Sequence, residues 1–295
     1  MMLMIDRPKF DVIVCGSLHL DIVVKSPNLP RIDETVVGHA WQQVCGGKGG
    51  NQAVHAAKTG ALTAMIGRIG ADDFGEMLRS NLSASNVDIS CLSVDPDAGS
   101  GMSVAVLQDN GDYGAVIVSG ANVMIDPASL PQAWATLGGG KVLVLQNEVP
   151  HKVNVAAALI ARQSGALVVL NAAPARAMAD DLLKLVDVLI VNRVEAEAMA
   201  GFSVNDRPSA RLALPALGRD KRSVIVTLGA EGLVVAPKGE SATDISALAV
   251  DVTSTHGAGD CFVGVLAAGL ARGAPLVAAS HEANKRAALH VSRKS

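Results

Sequence analysis

The chain has 295 residues, of which 49% are hydrophobic and 18% are charged, and its formal net charge is −3. A chain of this length and apolar content can bury a large core. The small net charge and the lack of a Lys/Arg cluster exclude the basic surface that binding to nucleic acid or to an anionic membrane requires, so we expect a small-molecule substrate.

The cysteines and the apolar runs indicate the compartment. Four cysteines, at positions 15, 45, 91 and 261, stand far apart without a C-x-x-C pair, so neither a zinc site nor a disulfide framework is predicted. A reducing, cytoplasmic location is favoured. Asp6, Arg7 and Lys9 precede the first apolar run, which is not the pattern of a signal peptide. The longest apolar run, 261–271, is too short to span a bilayer, so no membrane partner is expected.

Apolar runs of strand length alternate along the chain with segments of helical spacing. The predicted strands are 12–15, 64–69, 142–145, 168–170, 188–191 and 224–227, and helical spacing occurs at 51–58, 153–162, 194–200 and 262–271. Continuous Val/Ile/Leu strands between helices are typical of parallel sheets that are covered on both faces. We therefore expect an α/β fold with a doubly wound, mostly parallel central sheet flanked by helices.

Two stretches depart from this alternation. Residues 22–44 and 103–119 alternate between apolar and polar and contain turn signals at 27–30 and 109–112. They predict a small antiparallel sheet, formed by about 16–45 and 100–120, that covers the main body as a lid. No internal repeat or long linker separates the lid from the rest, so 1–295 is predicted to form a single domain.

Ligands of open α/β sheets bind beyond the carboxyl ends of the strands, so polar residues that follow the predicted strands are candidate site residues. Such residues occur after the first strand, after a lid strand and after four later strands. In chain order they are His19 with Asp21, the loop 46–51, Glu148, Asn192 with Glu195, Thr227 with Gly229, and Asp260.

The segment 255–262, Thr-His-Gly-Ala-Gly-Asp-Cys-Phe, places a glycine turn before a long apolar helix. The N–H groups of such a turn and the positive end of the helix dipole favour an anion such as a phosphate. Asp260 would lie beside that anion, placed to accept a proton. Taken alone, the pattern is also that of a strand break followed by a helix cap.

Two common nucleotide-binding motifs are excluded. A P-loop around Lys48 needs glycine at position 42, which is Gln42, and Ser or Thr at position 49, which is Gly49. A dinucleotide fingerprint that opens at Gly257 needs glycine at position 262, which is Phe262. An NAD-linked oxidoreductase is therefore disfavoured.

The chain resembles the ribokinase-like sugar kinases of the PfkB family over nearly its whole length, from Gly16 to about Arg293. Residues 46–53, Gly-Gly-Lys-Gly-Gly-Asn-Gln-Ala, are similar to the family's N-terminal signature, and 257–260, Gly-Ala-Gly-Asp, to its C-terminal one. Further matching landmarks are 120–122, 145–150, Asn192 with Glu195, and 227–229. The resemblance implies a ribokinase-like fold, dependence on ATP and Mg²⁺, and a homodimer that forms through the lid.

Phosphoryl transfer to an alcohol depends mainly on positioning and electrostatic stabilisation. Asp260 would act as the general base, and the N–H groups of Gly257, Ala258 and Gly259 would form an anion hole for the migrating phosphoryl group. The family resemblance assigns the same roles to these residues.

Asn192 and Glu195 are candidate residues of the nucleotide-binding part of the site. Their spacing at a strand-to-helix junction suits either hydrated Mg²⁺ and phosphates or a helix capping box. The resemblance favours the first, with Glu195 reaching Mg²⁺ through water. A plain turn would explain 227–232 nearly as well as close approach to a nucleotide. By resemblance, the further ATP-binding residues are Thr227, Gly229, Gly232 and Asn284.

Sugar hydroxyl groups pair with carboxylates and amides. The resemblance places sugar recognition on His19, Asp21, Gly46, Gly47, Lys48, Asn51 and Glu148. Asp21 would otherwise be a surface charge on a lid strand, and Asn51 can cap its helix and still contact a ligand. His19 stands where the family usually has asparagine, and it either hydrogen-bonds a hydroxyl or packs at the lid hinge.

Ser254 is a second departure, because the family commonly has an aspartate there that helps to bind a monovalent cation. We therefore expect weak or absent activation by K⁺.

Only four Phe, two Trp and one Tyr occur in the chain. Because a nucleobase is usually bound by stacking on aromatic side chains, this composition favours a sugar over a nucleoside as the substrate.

The sequence predicts transfer of the γ-phosphoryl group of ATP to the terminal hydroxyl of a pentose-like sugar, ribose first. The alternatives are a kinase of another sugar or of a nucleoside in the same family, and a non-catalytic sugar-binding regulator that keeps the fold.

Overall fold

The computed structural model describes residues 8–110, 112–251 and 257–292. The strands are β1 Phe10–Cys15, β2 His19–Ser26, β3 Ala40–Gly46, β4 Thr63–Gly70, β5 Val87–Asp95, β6 Gly101–Gln108, β7 Tyr113–Val118, β8 Gly140–Gln146, β9 Leu167–Asn171, β10 Val188–Val191, β11 Ser223–Thr227, β12 Leu233–Ala236 and β13 Thr243–Ile245. The helices are α1 Lys48–Ala57, α2 Asp73–Ala84, α3 Leu130–Leu137, α4 His151–Gln163, α5 Asp180–Leu183, α6 Arg193–Ala200, α7 Arg207–Ala213, α8 Ala258–Ala271 and α9 Leu276–Val291.

The larger sheet has the strand order β13-β12-β11-β10-β9-β8-β1-β4-β5. Its strands from β11 to β5 pair in parallel, and β12 and β13 extend one edge in antiparallel pairing. The six strands predicted from apolar runs are all present, as β1, β4, β8, β9, β10 and β11. The predicted doubly wound, mostly parallel sheet is confirmed.

Both faces of the larger sheet are buried, as the continuous apolar strands predict. Consecutive residues of β1 enter two different cores, because side chains alternate between the faces of a strand. Ile13 belongs to the same buried cluster as Trp134 on one face, whereas Val12 and Val14 belong to the cluster that contains Phe262 on the other. Helices cover each face and exclude water from it.

The second sheet is the predicted lid, with the strand order β3-β2-β6-β7. Two of its pairings, β2 with β3 and β6 with β7, are antiparallel, but the central pairing of β2 with β6 is parallel. The prediction of an antiparallel lid therefore holds for its two hairpins and not for their junction. β2 follows β1 and β6 follows β5, and since β1 and β5 run in the same direction, the chain enters the lid twice in the same sense.

Helices α1 and α8 pack closely at Gly264. A Cβ atom on this residue would lie 2.5 Å from the backbone oxygen of Gln52 and 2.8 Å from the backbone nitrogen of Ala56. Only glycine allows this separation of the two backbones. None of the described helices has the length and apolarity needed to cross a membrane.

Candidate active site

The strand order reverses between β1 and β8, which places a crevice at their carboxyl ends. The segments that follow these two strands meet there. The hydroxyl of Ser17, after β1, donates to Oε2 of Glu148, after β8, over 2.5 Å. The backbone N–H of Lys48, at the start of α1, donates to the same oxygen over 2.9 Å. The predicted sugar residues Glu148 and Lys48 are thus brought together by the fold.

Asp260 lies in the first turn of α8, and only 8% of its surface is exposed. Its two carboxylate oxygens accept hydrogen bonds from α1. Nε2 of Gln52 donates over 2.9 Å and Nδ2 of Asn51 over 3.1 Å. Burial raises the pKa of Asp260, while the positive charge of Lys48 and these two amides act in the opposite direction. The carboxylate is oriented from outside its own helix, which a simple helix cap would not require.

A buried amide network supports Gln52. Its Oε1 accepts from Nε2 of Gln146 at the end of β8, over 2.8 Å, and its Nε2 also donates to Oδ1 of Asn171 at the end of β9, over 3.1 Å. Gln52 and Asn171 are not among the site residues predicted from the sequence. The available signal was a polar residue that directly ends an apolar strand, as Asn171 does.

The turn before α8 has the geometry of an anion site. Gly257 adopts a left-handed conformation with φ of 74°, which favours glycine. Ala258 then begins the helix, whose first N–H groups have no partner within it. Among the described residues, no atom would lie within 4 Å of a Cβ atom on Gly259, so none of them closes this side of the turn. The imidazole of His290 on α9 lies against Gly257, 3.1 Å from the place of a Cβ atom.

The loop before α1 approaches the segment after β1. Gly47 has a φ of 82°, and a Cβ atom there would lie 2.7 Å from the backbone nitrogen of His19. A Cβ atom on Gly46 would collide with the carboxylate of Asp21. Both glycines therefore allow the loop to lie directly under the first lid strand.

The first lid strand contributes His19 and Asp21. Asp21 accepts a hydrogen bond of 2.5 Å from the hydroxyl of Ser103 on β6, so it is a partnered group rather than an isolated surface charge. His19 is 4% exposed, and its Nδ1 lies 3.9 Å from Oε2 of Glu148. Its Nε2 is buried and has no hydrogen-bond partner among the described residues.

Asn192 and Glu195 form a capping box at the start of α6. Oδ1 of Asn192 accepts from the backbone N–H of Glu195 over 3.1 Å, and Oε2 of Glu195 accepts from the N–H of Asn192 over 2.7 Å. Burial raises the pKa of Glu195, and the charge of Lys48 lowers it. The helix capping box that the spacing allowed is therefore present. The Glu195 carboxylate also lies close enough to Lys48 for the charge of the lysine to lower its pKa.

Comparison with known proteins decides the family. The model of the pfkB family of carbohydrate kinases matches residues 9–295. The chain belongs to this family. It is 35% identical to the ribokinase of Haemophilus influenzae over 253 residues, which are 85% of this chain and 82% of the relative. It is also 29% identical to the deoxyribokinase of Salmonella typhi over 286 residues, 96% of this chain and 93% of the relative.

A solved structure shows the same fold. Arabidopsis thaliana ribokinase complexed with ribose and ATP superposes with a TM-score of 0.87 at 26% identity, covering 96% of this chain and 93% of that one. With the family and the fold in agreement, the protein is a ribokinase-like sugar kinase.

The remaining predicted nucleotide residues of this kinase lie along the edge of the sheet beyond β10. The hydroxyl of Thr227 donates to the backbone oxygen of Val191 over 3.4 Å. Gly232 has a φ of 86°, and its Cβ position is filled by the backbone of Ile245. Gly229, with a φ of 61°, has no atom of a described residue within 4 Å of its Cβ position. Gly229 is thus open to a ligand, whereas Gly232 is required by the packing of the chain itself.

Asn284 on α9 donates from Nδ2 to the backbone oxygen of Ser246 over 2.9 Å. This bond ties the last helix to the segment after β13. Thr255, His256 and Ser254, on which the C-terminal signature and the K⁺ expectation partly rest, lie outside the described residues.

The residues present suit Mg²⁺ only in part. Within 8–110, 112–251 and 257–292 there is no group of three or more His, Cys, Asp or Glu side chains that could hold a metal ion. Glu195 offers one carboxylate whose Oε2 is engaged in the capping box. Such a site fits Mg²⁺ that is held mainly by nucleotide phosphates and water, as this ion usually is in kinases.

Proposed function

We propose that this chain is an ATP-dependent kinase that transfers the γ-phosphoryl group to the terminal hydroxyl of a pentose-like sugar, ribose first. The observation that carries the proposal is the carboxylate of Asp260, buried at the start of α8 and oriented by Asn51 and Gln52 from the sugar-loop helix α1. The proposal is also supported by relatives named ribokinase.

Asp260 acts as the general base. Its carboxylate accepts the proton of the terminal hydroxyl while that oxygen attacks the phosphorus. Burial favours the neutral acid, whereas catalysis needs the charged form. Lys48, Gln52 and Asn51 stabilise the charge and keep the group ready to accept a proton.

The turn 257–259 holds the transferred group. Its backbone N–H groups, together with the dipole of α8, stabilise negative charge on the phosphoryl oxygens as the bond to the leaving group lengthens. The open side of Gly259 leaves room for those oxygens. No side-chain rearrangement is needed at this point, because the donors belong to the backbone.

The sugar is bound between the lid and the main body. The polar groups proposed for this are those that the fold gathers around Glu148 and at the base of the lid, namely His19, Asp21, Gly46, Gly47, Lys48, Asn51 and Glu148. Asp21 and Glu148 each carry an oxygen that accepts hydrogen bonds from sugar hydroxyls. Closure of the lid excludes water, which would otherwise compete as the phosphoryl acceptor.

The nucleotide is proposed to bind beside α6 and α9, with contacts from Asn192, Glu195, Thr227, Gly229, Gly232 and Asn284. Glu195 would face Mg²⁺ through water. When bound, Mg²⁺ neutralises charge on the phosphates. The capping box fixes the Glu195 carboxylate in one orientation, so its structural role and its proposed ligand role are compatible.

The outer face of the lid is proposed to pair with a second copy of the chain. In the register of β2, β3, β6 and β7, one face carries Asp21 and Ser103, and most residues of the opposite face are apolar. The exposed members of the apolar face are Trp41, Val116 and Val118. An apolar sheet face of this kind favours a homodimer, and light scattering at several protein concentrations tests it.

We further propose that residues 1–295 form one domain and that the protein is cytoplasmic.

A coupled assay of ADP release tests the function. ATP and Mg²⁺ are supplied with ribose, 2-deoxyribose, other pentoses, ketohexoses, keto-deoxy acids and nucleosides in separate reactions. The proposal expects the highest kcat/KM with ribose. 2-Deoxyribose is the second candidate, because one relative is named a deoxyribokinase. A nucleoside as the best substrate, or no ADP release with any sugar, would contradict the proposal.

A further inference from the structure

The turn before α8 is supported by a histidine from another helix. Gly257, the N-cap residue, has no side chain with which to hold the turn. The imidazole of His290 on α9 lies where that side chain would be. Its Nε2 is 3.1 Å, and the two ring carbons beside Nε2 are each 4.0 Å, from the place of a Cβ atom on Gly257. The ring therefore meets the turn end-on.

His290 lies in the last turn of α9, which ends at Val291. Terminal helical turns fray easily, so a residue there gives firm support only if another group holds it. His55 on α1 is such a group. The two imidazole rings meet edge to face, with centroids 4.9 Å apart and an interplanar angle of 88°. This is a favourable arrangement for aromatic rings.

His55 is itself anchored where α1 and α8 pack closely. Its Cβ atom is 2.8 Å from the place of a Cβ atom on Gly264. It follows Asn51 by four residues and Gln52 by three, and residues at these spacings share one face of a helix. The face of α1 that orients Asp260 therefore also contacts His290, and through it the turn before α8.

A preference of helix ends for basic residues does not explain this arrangement. The helix dipole favours a basic residue in the last turn, and both His55 and His290 occupy such positions. A side chain that points into solvent would satisfy that preference equally well. It does not account for the contact of the two rings with each other or for the contact of His290 with Gly257.

We propose that His290, held in place by His55, is a positioning residue for phosphoryl transfer, because it keeps the backbone N–H groups of the turn 257–259 where the transferred phosphoryl group needs them. Stabilisation by such donors depends on their placement before the reaction begins. The inference rests on the proposed function, since it takes this turn to be the anion hole. It goes further by making α1 align both the general base and the anion hole.

The first test is His290→Ala, which removes the ring and keeps a good helix former. We expect kcat for ribose to fall by about tenfold, with KM for ribose and for ATP changed by less than about twofold, because the lost support matters most in the transition state. His281→Ala is the matched control, since His281 lies on the same helix and is exposed. Equal kcat values for the two variants would overturn the inference.

A second measurement separates positioning from partial unfolding, which would also lower kcat. Aluminium fluoride, bound together with ADP and ribose, mimics the phosphoryl group during transfer, and such analogues report on transition-state binding. In His290→Ala, its dissociation constant should rise by about the factor by which kcat falls. The stoichiometry of ribose binding in calorimetry should stay at the wild-type value. An unchanged dissociation constant for aluminium fluoride would overturn the inference.

The third test combines His55→Ala with His290→Ala in a double-mutant cycle. If His55 acts through His290, its replacement should lower kcat by about threefold in the wild type and have almost no effect in His290→Ala. Additive effects of the two substitutions would overturn the role of His55. A wild-type enzyme that releases no ADP with any pentose would overturn the proposed function, whereas an active wild type with a fully active His290→Ala variant would overturn this inference alone.

Discussion

The side-chain amide of Gln52 donates to the carboxylate of Asp260 over 2.9 Å and joins α1 to the first turn of α8. This bond connects the loop that carries the proposed sugar residues to the turn that carries the proposed anion hole. It also makes the pKa of Asp260 depend on a residue that touches neither proposed ligand.

Gln52→Glu should shift the pH profile. Burial already raises the pKa of Asp260, so the acid limb of kcat should lie above the ordinary range of an aspartate, with activity rising as pH rises. A second carboxylate beside Asp260 would disfavour its charged form and move that limb to still higher pH. Rates measured from pH 4 to pH 9 check this. An unchanged or lower limb in the variant would contradict the role given to this pair.

Glu195→Gln and Asn192→Ala separate the two roles of the capping box. Gln at position 195 can still accept from the N–H of Asn192, so stability should be retained while the Mg²⁺ concentration needed for half-maximal rate rises several-fold. Asn192→Ala removes the cap and should lower the free energy of unfolding by about 1 kcal/mol. Denaturant unfolding and Mg²⁺ titration measure the two effects. An unaltered Mg²⁺ requirement in Glu195→Gln would exclude a metal role for this carboxylate.

Two glycines of α8 should respond to alanine in opposite ways. Gly264→Ala places a methyl group against the backbone of α1 and should destabilise the fold by about 1–3 kcal/mol. The new methyl group of Gly259→Ala meets no atom of the described residues within 4 Å, so the stability of this variant should be unchanged or slightly higher. If phosphate oxygens lie against Gly259, however, its kcat should fall. Thermal unfolding and ADP release measured on the same samples distinguish the two, and full activity of Gly259→Ala would count against the anion hole.

Potassium should have little effect on the rate. Ser254 lacks the carboxylate that would attract a monovalent cation. Initial rates in potassium and in tetramethylammonium buffers of equal ionic strength should therefore agree within about twofold. A large activation by potassium would show that a cation site exists without an aspartate at position 254.

Much of the main sheet was predictable, because its strands are continuous apolar runs that few other structures explain. β12 and β13, the two strands at one end of the larger sheet, are short and did not stand out from turns. The parallel pairing of β2 with β6 could not be read from residue patterns, since alternation reveals a strand but not the direction of its neighbour. That direction is set by where the chain leaves the larger sheet.

The site was predictable where residues follow strands or form glycine turns. Asp260, Asn51, Lys48 and Glu148 are brought to one crevice as the sequence predicts. The role of Gln52 was not predicted, because its contact with Asp260 depends on how α1 packs against α8.

Asp260→Asn tests whether Asp260 accepts the proton of the sugar hydroxyl. Measured by ADP release with ribose and ATP, kcat should fall by about 10²–10⁴, while the dissociation constants of ribose and ATP, measured by calorimetry, should change by less than about threefold. Turnover within about tenfold of the wild type, with the variant folded and both ligands bound, would exclude Asp260 as the general base.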